Sequence, residues 1–210
     1  FLPAIDESYA KFTTLLHLPF GQTDRLQKFP SVEPAPLLVS RSTRPHADIL
    51  NQLGIQPSDP RPRIFLGMRA TLSPQALATA ATQLPGYLIL PPSTITPHLT
   101  FQDILSVSHI IVSKLGYGIA AECAASRIDL LYPIRTGFRE DSVLAPQLNQ
   151  YIRTAPLSPE AFASGHWAPA IQTLQSQPSP QRTIPHNGAE FCASRIAAIA
   201  GLPPPRFGLP

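Results

Sequence analysis

The sequence contains little cysteine and little charge. Two of its 210 residues are cysteines, and Asp, Glu, Lys and Arg together make up 14%. Cys123 and Cys192 stand in helix-like segments without the close Cys or His neighbours of a metal site, so we expect buried thiols and neither a metal nor another cofactor. The basic residues are scattered and the net charge is +3. No Lys/Arg run is present that would follow a phosphate backbone, which argues against a nucleic-acid partner.

Long apolar runs and a leader-like amino terminus are also missing. No stretch approaches the roughly twenty apolar residues that a bilayer span requires, and the first residues lack a charged segment followed by a hydrophobic one. We therefore expect a cytoplasmic protein without an integral membrane segment. Hydrophobic residues make up 43% of the chain and prolines number 26, which predicts a buried core built from short, frequently interrupted elements.

Strand-like and helix-like segments alternate along the chain. Apolar runs predict strands at residues 35–40, 63–68, 87–90, 109–113 and 129–134. The other periodic segments predict helices at 6–16, 44–53, 74–84, 101–107, 118–125, 140–152, from 158 past 167, and at 187–200. Because each strand is apolar enough to be covered on both faces, the predicted fold class is α/β, a Rossmann-like doubly wound parallel sheet with right-handed crossovers.

The most informative stretch is residues 110–125. A buried strand is predicted first, then Gly116 and Gly118, then an Ala-rich helix that carries Glu122. A strand, loop and helix in this order place unpaired backbone N–H groups and the positive end of a helix dipole at the carboxyl edge of a parallel sheet, where anions bind. Two glycines that only form a tight turn are the second interpretation, and this pattern alone leaves both open.

Several segments together resemble the carboxyl-terminal lobe of GT-B glycosyltransferases, and most closely the glycosyltransferase-like region that precedes the sugar-kinase domain of plant arabinokinases. The likeness runs from about residue 10 to residue 200. The stretch from Ser113 to Glu122 is similar to the family's G-K-x-G-Y-G-T-x-x-E element, and Arg135 to Glu140 is similar to its R-x-x-F-x-E element. Asp103-Ile104-Leu105 accompanies these two. Gly165 to Pro169 resembles G-x-W-x-P, and Asn187 to Glu190 resembles N-G-G/A-E.

The resemblance implies a lobe that binds a nucleotide sugar, such as a UDP-sugar. Gly116 and Gly118 would let the diphosphate approach the backbone, and Glu122 would accept hydrogen bonds from the ribose hydroxyls. Arg135 would contact phosphate through its fork of N–H groups, and Glu140 would meet hydroxyls of the donor sugar. The ordinary alternatives are helix-end electrostatics for the two glutamates and a surface salt bridge for Arg135.

Further residues join the donor site by the same resemblance. Lys114 would neutralise phosphate as a point charge, although a strand-end lysine is often simply solvated. The remaining candidates are Tyr117, Ile119 and Gly67, together with Arg69, Asn187 and Gly188. No residue can be assigned as catalytic.

The chain departs from the family pattern at two positions. Ile119 stands where the family has a threonine, so a hydroxyl that could bind phosphate or cap the helix is missing. Met68 stands in a turn that is richer in glycine in the family, where its side chain would crowd a ligand, and Arg69 could compensate with its charge.

The resemblance also predicts the organisation of the chain. Residues 1–30 would be a remnant or the end of an amino-terminal lobe, residues 31–202 the nucleotide-sugar-binding lobe, and residues 203–210 a tail. A GT-B enzyme acts between two lobes, so a second lobe or subunit would bind the acceptor, which is a small molecule, a glycan or a lipid. The predicted function is transfer of a hexosyl or related group to an acceptor hydroxyl.

Two other functions fit the same site. The first alternative is a non-catalytic GT-B-like module that binds a sugar or nucleotide, or acts as a scaffold for a sugar kinase or a second subunit. The second alternative is a nucleotide-sugar epimerase, which would share the nucleotide site and differ in its product.

Overall fold

The computed structural model describes residues 7–21, 23–24, 26–68 and 72–207. The chain divides into two compact units. One unit comprises residues 40–183, and the other comprises the described residues of 1–39 and 184–210.

Short strands and helices alternate through most of the described chain. The strands are β1 (Leu15–His17), β2 (Val32–Pro34), β3 (Arg63–Leu66), β4 (Leu88–Leu90), β5 (Ile110–Val112), β6 (Asp129–Pro133) and β7 (Thr154–Leu157). The α-helices are α1 (His46–Gln52), α2 (Pro74–Gln83), α3 (Phe101–Ser106), α4 (Tyr117–Ser126), α5 (Arg139–Leu148), α6 (Pro159–Ser164), α7 (Ala168–Ser176) and α8 (Gly188–Ile199). Single 3-10 turns lie at Leu26–Lys28 and Pro92–Thr94.

The unit of residues 40–183 is built on one parallel sheet with the strand order β4-β3-β5-β6-β7. The register places Phe65 of β3 between Leu90 of β4 and Ile111 of β5. From β3 the chain first adds β4 on one side and then crosses back to add β5, β6 and β7 on the other. The strand order therefore reverses between β3 and β5.

Helices cover both faces of this sheet, as the apolar strands predict. On one face, Ile64 and Val112 belong to a core cluster that includes Ala80 of α2 and Ile171 of α7. On the other face, the ring of Phe65 lies 5.2 Å from the ring of Phe101 at the start of α3. Neighbouring strand residues point to opposite faces, so a strand that is apolar at every position is buried by two helical layers. The predicted doubly wound α/β fold is confirmed.

Two helix starts form as their sequences predict. Ser73 caps α2 by accepting a hydrogen bond from the Ala76 N–H, with Pro74 at the first helical position. Thr100 caps α3 in a capping box with Asp103, each side chain accepting a hydrogen bond from the other residue's backbone N–H. These bonds satisfy N–H groups that have no partner inside the helix.

Two predictions near the amino terminus are wrong. The apolar run at 35–40 is not a strand; Leu37 is buried, its N–H donates to the Pro185 carbonyl over 2.9 Å, and its carbonyl accepts from the Gly188 N–H over 3.0 Å. The predicted helix at 6–16 is also wrong for its last turn, because Leu15 and Leu16 pair in parallel with Val32 and Glu33. An apolar run indicates burial but does not specify which backbone covers it.

Two further predictions fail after β6. The helix predicted at 140–152 ends at Leu148, and the strand β7 that follows it was missed. The region from 158 past 167 is two helices, because Gly165 adopts φ +81° and ends α6. The sequence Thr-Ala-Pro-Leu of β7 contains an alanine and a proline, which are uncommon in strands, and its strand geometry comes from pairing with Leu130 to Pro133 of β6.

Gly165 allows a comparison of backbone strain with steric overlap. Gly165 and Gly137 have nearly the same φ, +81° and +82°, but a Cβ on Gly165 would overlap the Ala76 carbonyl of α2, whereas a Cβ on Gly137 would meet no atom within 4 Å. We expect Gly137→Ala to cost about 1–2 kcal/mol from backbone strain alone. Gly165→Ala should lower the free energy of unfolding by about 1–3 kcal/mol more, because the Gly165 backbone and α2 must move apart to admit the Cβ. Urea unfolding of both variants measures the difference, and equal losses would contradict the packing argument.

Candidate functional site

The candidate site lies where the strand order of the sheet reverses. Gly67 follows β3 and Ser113 follows β5, and the Gly67 N–H donates to the Val112 carbonyl over 3.0 Å. A Cβ on Gly67 would come within 2.5 Å of the Ile111 side chain, so glycine is needed there for close strand packing. Ligands of open α/β sheets bind outside the carboxyl ends of the strands at such a reversal.

The first turn of α4 is open above its backbone. Gly116 is the N-cap residue with φ −143° and ψ 163°, an extended conformation that any residue can adopt, and as a glycine it has no side chain of its own to cap the helix. A Cβ on Gly116 or on Gly118 would meet no atom within 4 Å. Neither the backbone conformation nor the packing therefore requires a glycine at either position. The space above this turn is free of atoms that a side chain would meet.

Glu140 places its carboxylate at the start of α4. Its Oε1 atom accepts a hydrogen bond from the Tyr117 N–H over 3.1 Å, although Glu140 itself belongs to the first turn of α5. The positive end of the α4 dipole favours this negative charge. The structure thus brings together two residues that the sequence assigns to the same site, and it shows an anion already held by the opening of α4.

Arg135 joins the loops that precede α4 and α5. Its guanidinium makes a forked ion pair with Asp141, with an Nε to Oδ2 distance of 3.1 Å, and also donates to the Leu115 carbonyl. The side chains of Arg135 and Asp141 are only 18% and 14% exposed, and the guanidinium stacks 4.2 Å from the Phe138 ring centre. The hydrogen bonds that the guanidinium donates to Asp141 raise the pKa of Arg135. A buried fork of this kind fixes the two loops relative to each other.

Glu122 lies half-buried on α4, facing α3. Its Oε1 accepts a hydrogen bond from Gln102 Nε2 at the long distance of 3.5 Å. Burial raises the pKa of Glu122, and the bond from Gln102 offsets that rise only in part. The carboxylate has therefore lost contact with water and receives one weak hydrogen bond in return. A ligand hydroxyl that donated to it would restore part of the lost hydrogen bonding.

Two residues of this arrangement were not predicted. Asp141 stands beside Glu140 in the sequence, and its spacing of six residues from Arg135 indicates no contact until the loop geometry is known. Gln102 stands in the first turn of α3 without any motif around it. An opposite charge close to an unassigned arginine is the one signal that could have suggested Asp141.

The other predicted residues occupy different surroundings. Lys114 is exposed, while Tyr117 and Ile119 are half-buried in the first turn of α4. Arg69 lies outside the described residues. Asn187 and Gly188 belong to the other unit, where a Cβ on Gly188 would overlap the Pro36 carbonyl, so this glycine has a packing role of its own.

Two solved structures that are similar to this chain are glycosyltransferases. The match to the glycotransferase of kitacinnamycin has a TM-score of 0.51 at 16% identity and covers 79% of this chain and 46% of that protein. The chain has a glycosyltransferase-like fold. It spans about half the length of that neighbour.

A second match is more distant. The glycosyltransferase SnogD from Streptomyces nogalater matches at a TM-score of 0.46 and 15% identity, with 90% of this chain and 56% of SnogD covered, too low a score to indicate a shared fold by itself. No protein-family model and no curated protein sequence matches the chain. The likeness is therefore one of structure.

The described residues contain neither a helix suited to cross a membrane nor a cluster of metal-ligating side chains. None of their helices combines the length and apolar character that a membrane crossing requires. No group of three or more His, Cys, Asp or Glu side chains comes together among them in the way a metal site needs.

The Arg135 fork can be tested by a change that keeps its charge. Arg135→Lys removes the second N–H contact to Asp141 and the stacking on Phe138, and should cost about 1–2 kcal/mol in the free energy of unfolding. The matched control is Arg61→Lys, whose fork to Asp59 is 46% exposed at the arginine and should matter little. Urea unfolding of both proteins makes the comparison. A loss no larger for Arg135→Lys than for the control would show that the fork does not hold the loops.

Proposed function

We propose that this chain is the nucleotide-sugar-binding lobe of a glycosyltransferase that uses a UDP-sugar. In the reaction, an acceptor hydroxyl forms a new bond to the anomeric carbon while the bond from that carbon to the diphosphate breaks. The acceptor proton is released and a nucleoside diphosphate leaves. Catalysis of this kind relies on orientation and on stabilisation of the leaving diphosphate by helix dipoles and cations.

The open first turn of α4 is the observation that supports this proposal most. Gly116 and Gly118 leave room for a diphosphate to reach backbone N–H groups, and the turn lies at the reversal of strand order. The N–H of Tyr117 already holds the carboxylate of Glu140. A diphosphate would replace that carboxylate at the positive helix end, and Glu140 would then be released to meet hydroxyls of the donor sugar. Lys114, exposed beside the turn, would add a positive charge.

Glu122 would bind the ribose of the donor. Its carboxylate is half-buried and has only the long hydrogen bond from Gln102. Two ribose hydroxyls would supply the donors that burial has removed, and hydrogen bonds to a charged acceptor are among the stronger ones. Gln102 would keep the carboxylate turned toward the ligand.

The remaining half of the enzyme would supply the acceptor site. The chain spans 46% of the length of the neighbouring glycotransferase of kitacinnamycin, which fits one lobe of a two-lobed enzyme. We propose that residues 1–30 are the end of an amino-terminal lobe, that residues 31–202 form the donor lobe, and that residues 203–210 are a tail. The partner would be that second lobe or a separate subunit, and the acceptor a small molecule, a glycan or a lipid. The likeness to the region beside the sugar kinase of arabinokinases belongs to the same proposal.

One observation favours a non-catalytic module instead. The Tyr117 N–H already donates to Glu140, and the Arg135 guanidinium already donates to Asp141 and to the Leu115 carbonyl. With Ile119 in place of a threonine, fewer groups remain to bind phosphate tightly. A module that binds nucleotide weakly, for regulation or as a scaffold, fits this arrangement. Weak UDP binding without transfer by any complete assembly would favour it.

UDP binding tests the proposal directly. A titration followed by amide NMR should give saturable shifts at residues 114–119, with half-saturation in the millimolar range or below. Glu122→Gln should weaken UDP binding by about tenfold, because a charged acceptor becomes neutral. The analogue 2′,3′-dideoxy-UDP lacks the two ribose hydroxyls, so its affinity for wild-type protein should also be about tenfold lower than that of UDP. The Glu122→Gln variant should bind UDP and the analogue with equal affinity. Absence of saturation at millimolar UDP would reject the nucleotide site.

The same substitution should also make the fold more stable at neutral pH. Burial raises the pKa of Glu122 above its unfolded value. The folded state then binds more protons than the unfolded state in the window between the two values, so stability falls as the pH rises through that window. Glu122→Gln removes this loss, so its gain in stability should be larger at pH 7 than at pH 4. Glu190→Gln, at an exposed position on α8, is the control and should show no such difference. A variant less stable than wild type at pH 7 would indicate a structural role for Glu122.

The purified chain should not transfer sugar by itself. Incubation with a nucleotide-sugar donor and a mixture of hydroxyl acceptors should release no more nucleoside diphosphate than a heat-denatured sample does. The physical reason is that a donor lobe alone would not orient an acceptor hydroxyl against the donor. Turnover by this polypeptide alone would contradict the proposed division of the enzyme into two lobes.

A further inference from the structure

A polar cavity lies at the opposite end of α4 from the candidate donor site. Its volume is about 350 Å³, and it is bounded by residues 40–46, by α3 and by the carboxyl end of α4. Since a helix rises about 1.5 Å per residue, the ten residues of α4 separate this cavity from Gly116 by roughly 15 Å. The cavity and the first turn of α4 are therefore different places on the same helix.

The lining of this cavity carries positive charge and hydroxyl groups. Arg41, His46 and Arg127 line it together with Ser40 and Ser126, and none of its lining residues is acidic. Such a set consists largely of hydrogen-bond donors. Two carboxylates contact lining residues: Asp103 is already held by Ser42, Thr100 and Arg44, and Glu122 accepts the long hydrogen bond from Gln102.

The two guanidinium groups are held in place without being neutralised. One nitrogen of Arg41 donates to the Ala125 carbonyl over 2.7 Å. Arg127 donates to the carbonyls of Pro180 and Arg182. Among the described residues, neither arginine forms an ion pair with a carboxylate. Each guanidinium has five N–H donors, so both keep donors beyond these carbonyl contacts.

The helix ends reduce this charge but do not cancel it. The carboxyl ends of α3 and α4 each carry about half a negative charge from their dipoles, against two full positive charges on the guanidinium groups. The charge of the two guanidinium groups therefore exceeds that of the two helix ends. Two anchored arginines with an excess positive charge and adjacent hydroxyls are the chemistry that recognises a tetrahedral oxyanion.

We propose that this cavity binds the phosphate group of a small phosphorylated molecule. Arg41 and Arg127 contact the phosphate oxygens, and the hydroxyls of Ser40 and Ser126 donate further hydrogen bonds. The volume is at the lower end of the range for small-molecule sites, which suits a phosphate with a few further atoms. The phosphate proposal does not require the proposed nucleotide-sugar function: the cavity shares no lining residue with the first turn of α4, although Gln102 of its lining also donates to Glu122.

Inorganic phosphate is the probe that tests this proposal. At constant ionic strength, phosphate should give saturable NMR shifts at residues 40–46 and 125–127. Arg41→Gln should weaken phosphate binding by about tenfold, since it removes a charge-assisted contact. The control Arg206→Gln, which changes net charge equally on an exposed residue elsewhere, should leave binding unchanged. Sulfate should compete with phosphate, and UDP should not displace it from residues 125–127.

A second variant tests the proposal in case Arg41→Gln does not fold. Ser40→Asp adds a negative charge to the cavity while leaving the bond from Arg41 to Ala125, and it should abolish phosphate binding without lowering the melting temperature. Equal phosphate binding by wild type, Arg41→Gln and Ser40→Asp would overturn the proposal. Non-saturable or scattered shifts in the wild-type protein would overturn it as well, whatever UDP does at the donor site.

Discussion

The forked contact between Arg135 and Asp141 is the interaction on which the candidate site depends. The fork lies within the segment after β6, and the same guanidinium reaches the Leu115 carbonyl in the loop after β5. With the two loops connected in this way, the first turn of α5 lies against the first turn of α4. Glu140 can then cap α4, and the Gly116 backbone keeps its open approach. A largely buried arginine fork is well suited to this role because its planar geometry allows few alternatives.

Two glutamates at α4 differ in their energetic situation. Glu140 lies at the positive end of the helix dipole, where a negative charge is favoured and easily exchanged for another. Glu122 lies deeper, with a pKa raised by burial and one long hydrogen bond. Glu140 thus has a favourable hydrogen-bond partner within the protein, whereas Glu122 has only a weak one. A ligand with phosphate and hydroxyl groups would displace Glu140 from the helix end and would donate hydrogen bonds to Glu122. This is a physical reason why both residues would belong to the proposed donor site.

The two ends of α4 have opposite electrostatic roles. Its amino end attracts anions through backbone N–H groups, and a side-chain carboxylate is already present there. Its carboxyl end attracts cations, and Arg41 contacts the last-turn carbonyl of Ala125. The positive charge of the arginines at the carboxyl end is larger than the dipole alone can neutralise. We therefore propose an anion site at each end of this short helix, formed by backbone N–H groups at the amino end and by guanidinium groups at the carboxyl end.

The class of the fold and the order of its elements from α1 to α5 were determined by the sequence itself, because apolar runs and caps are local signals. Ile110–Val112 is apolar at every position and forms a central strand, and Ser73 and Thr100 cap the helices that follow them. The strand, glycine and helix pattern also predicts a site after β5, which stays a prediction. Tertiary structure decided the rest. It made a strand of Thr154–Leu157 through pairing with β6, and it left Leu37 outside any strand.

The partners of each charged residue were likewise set only by the fold. Glu140 meets Tyr117 because two segments that are separate along the chain are folded against each other, and Arg135 meets Asp141 because of the geometry of the segment after β6. The sequence predicted an anion-binding turn or a tight turn at Gly116 and Gly118, and only the three-dimensional structure showed that a Cβ at either position would meet no atom within 4 Å. Local propensity acts over a few residues, whereas burial, strand pairing and ion pairing depend on distances through space.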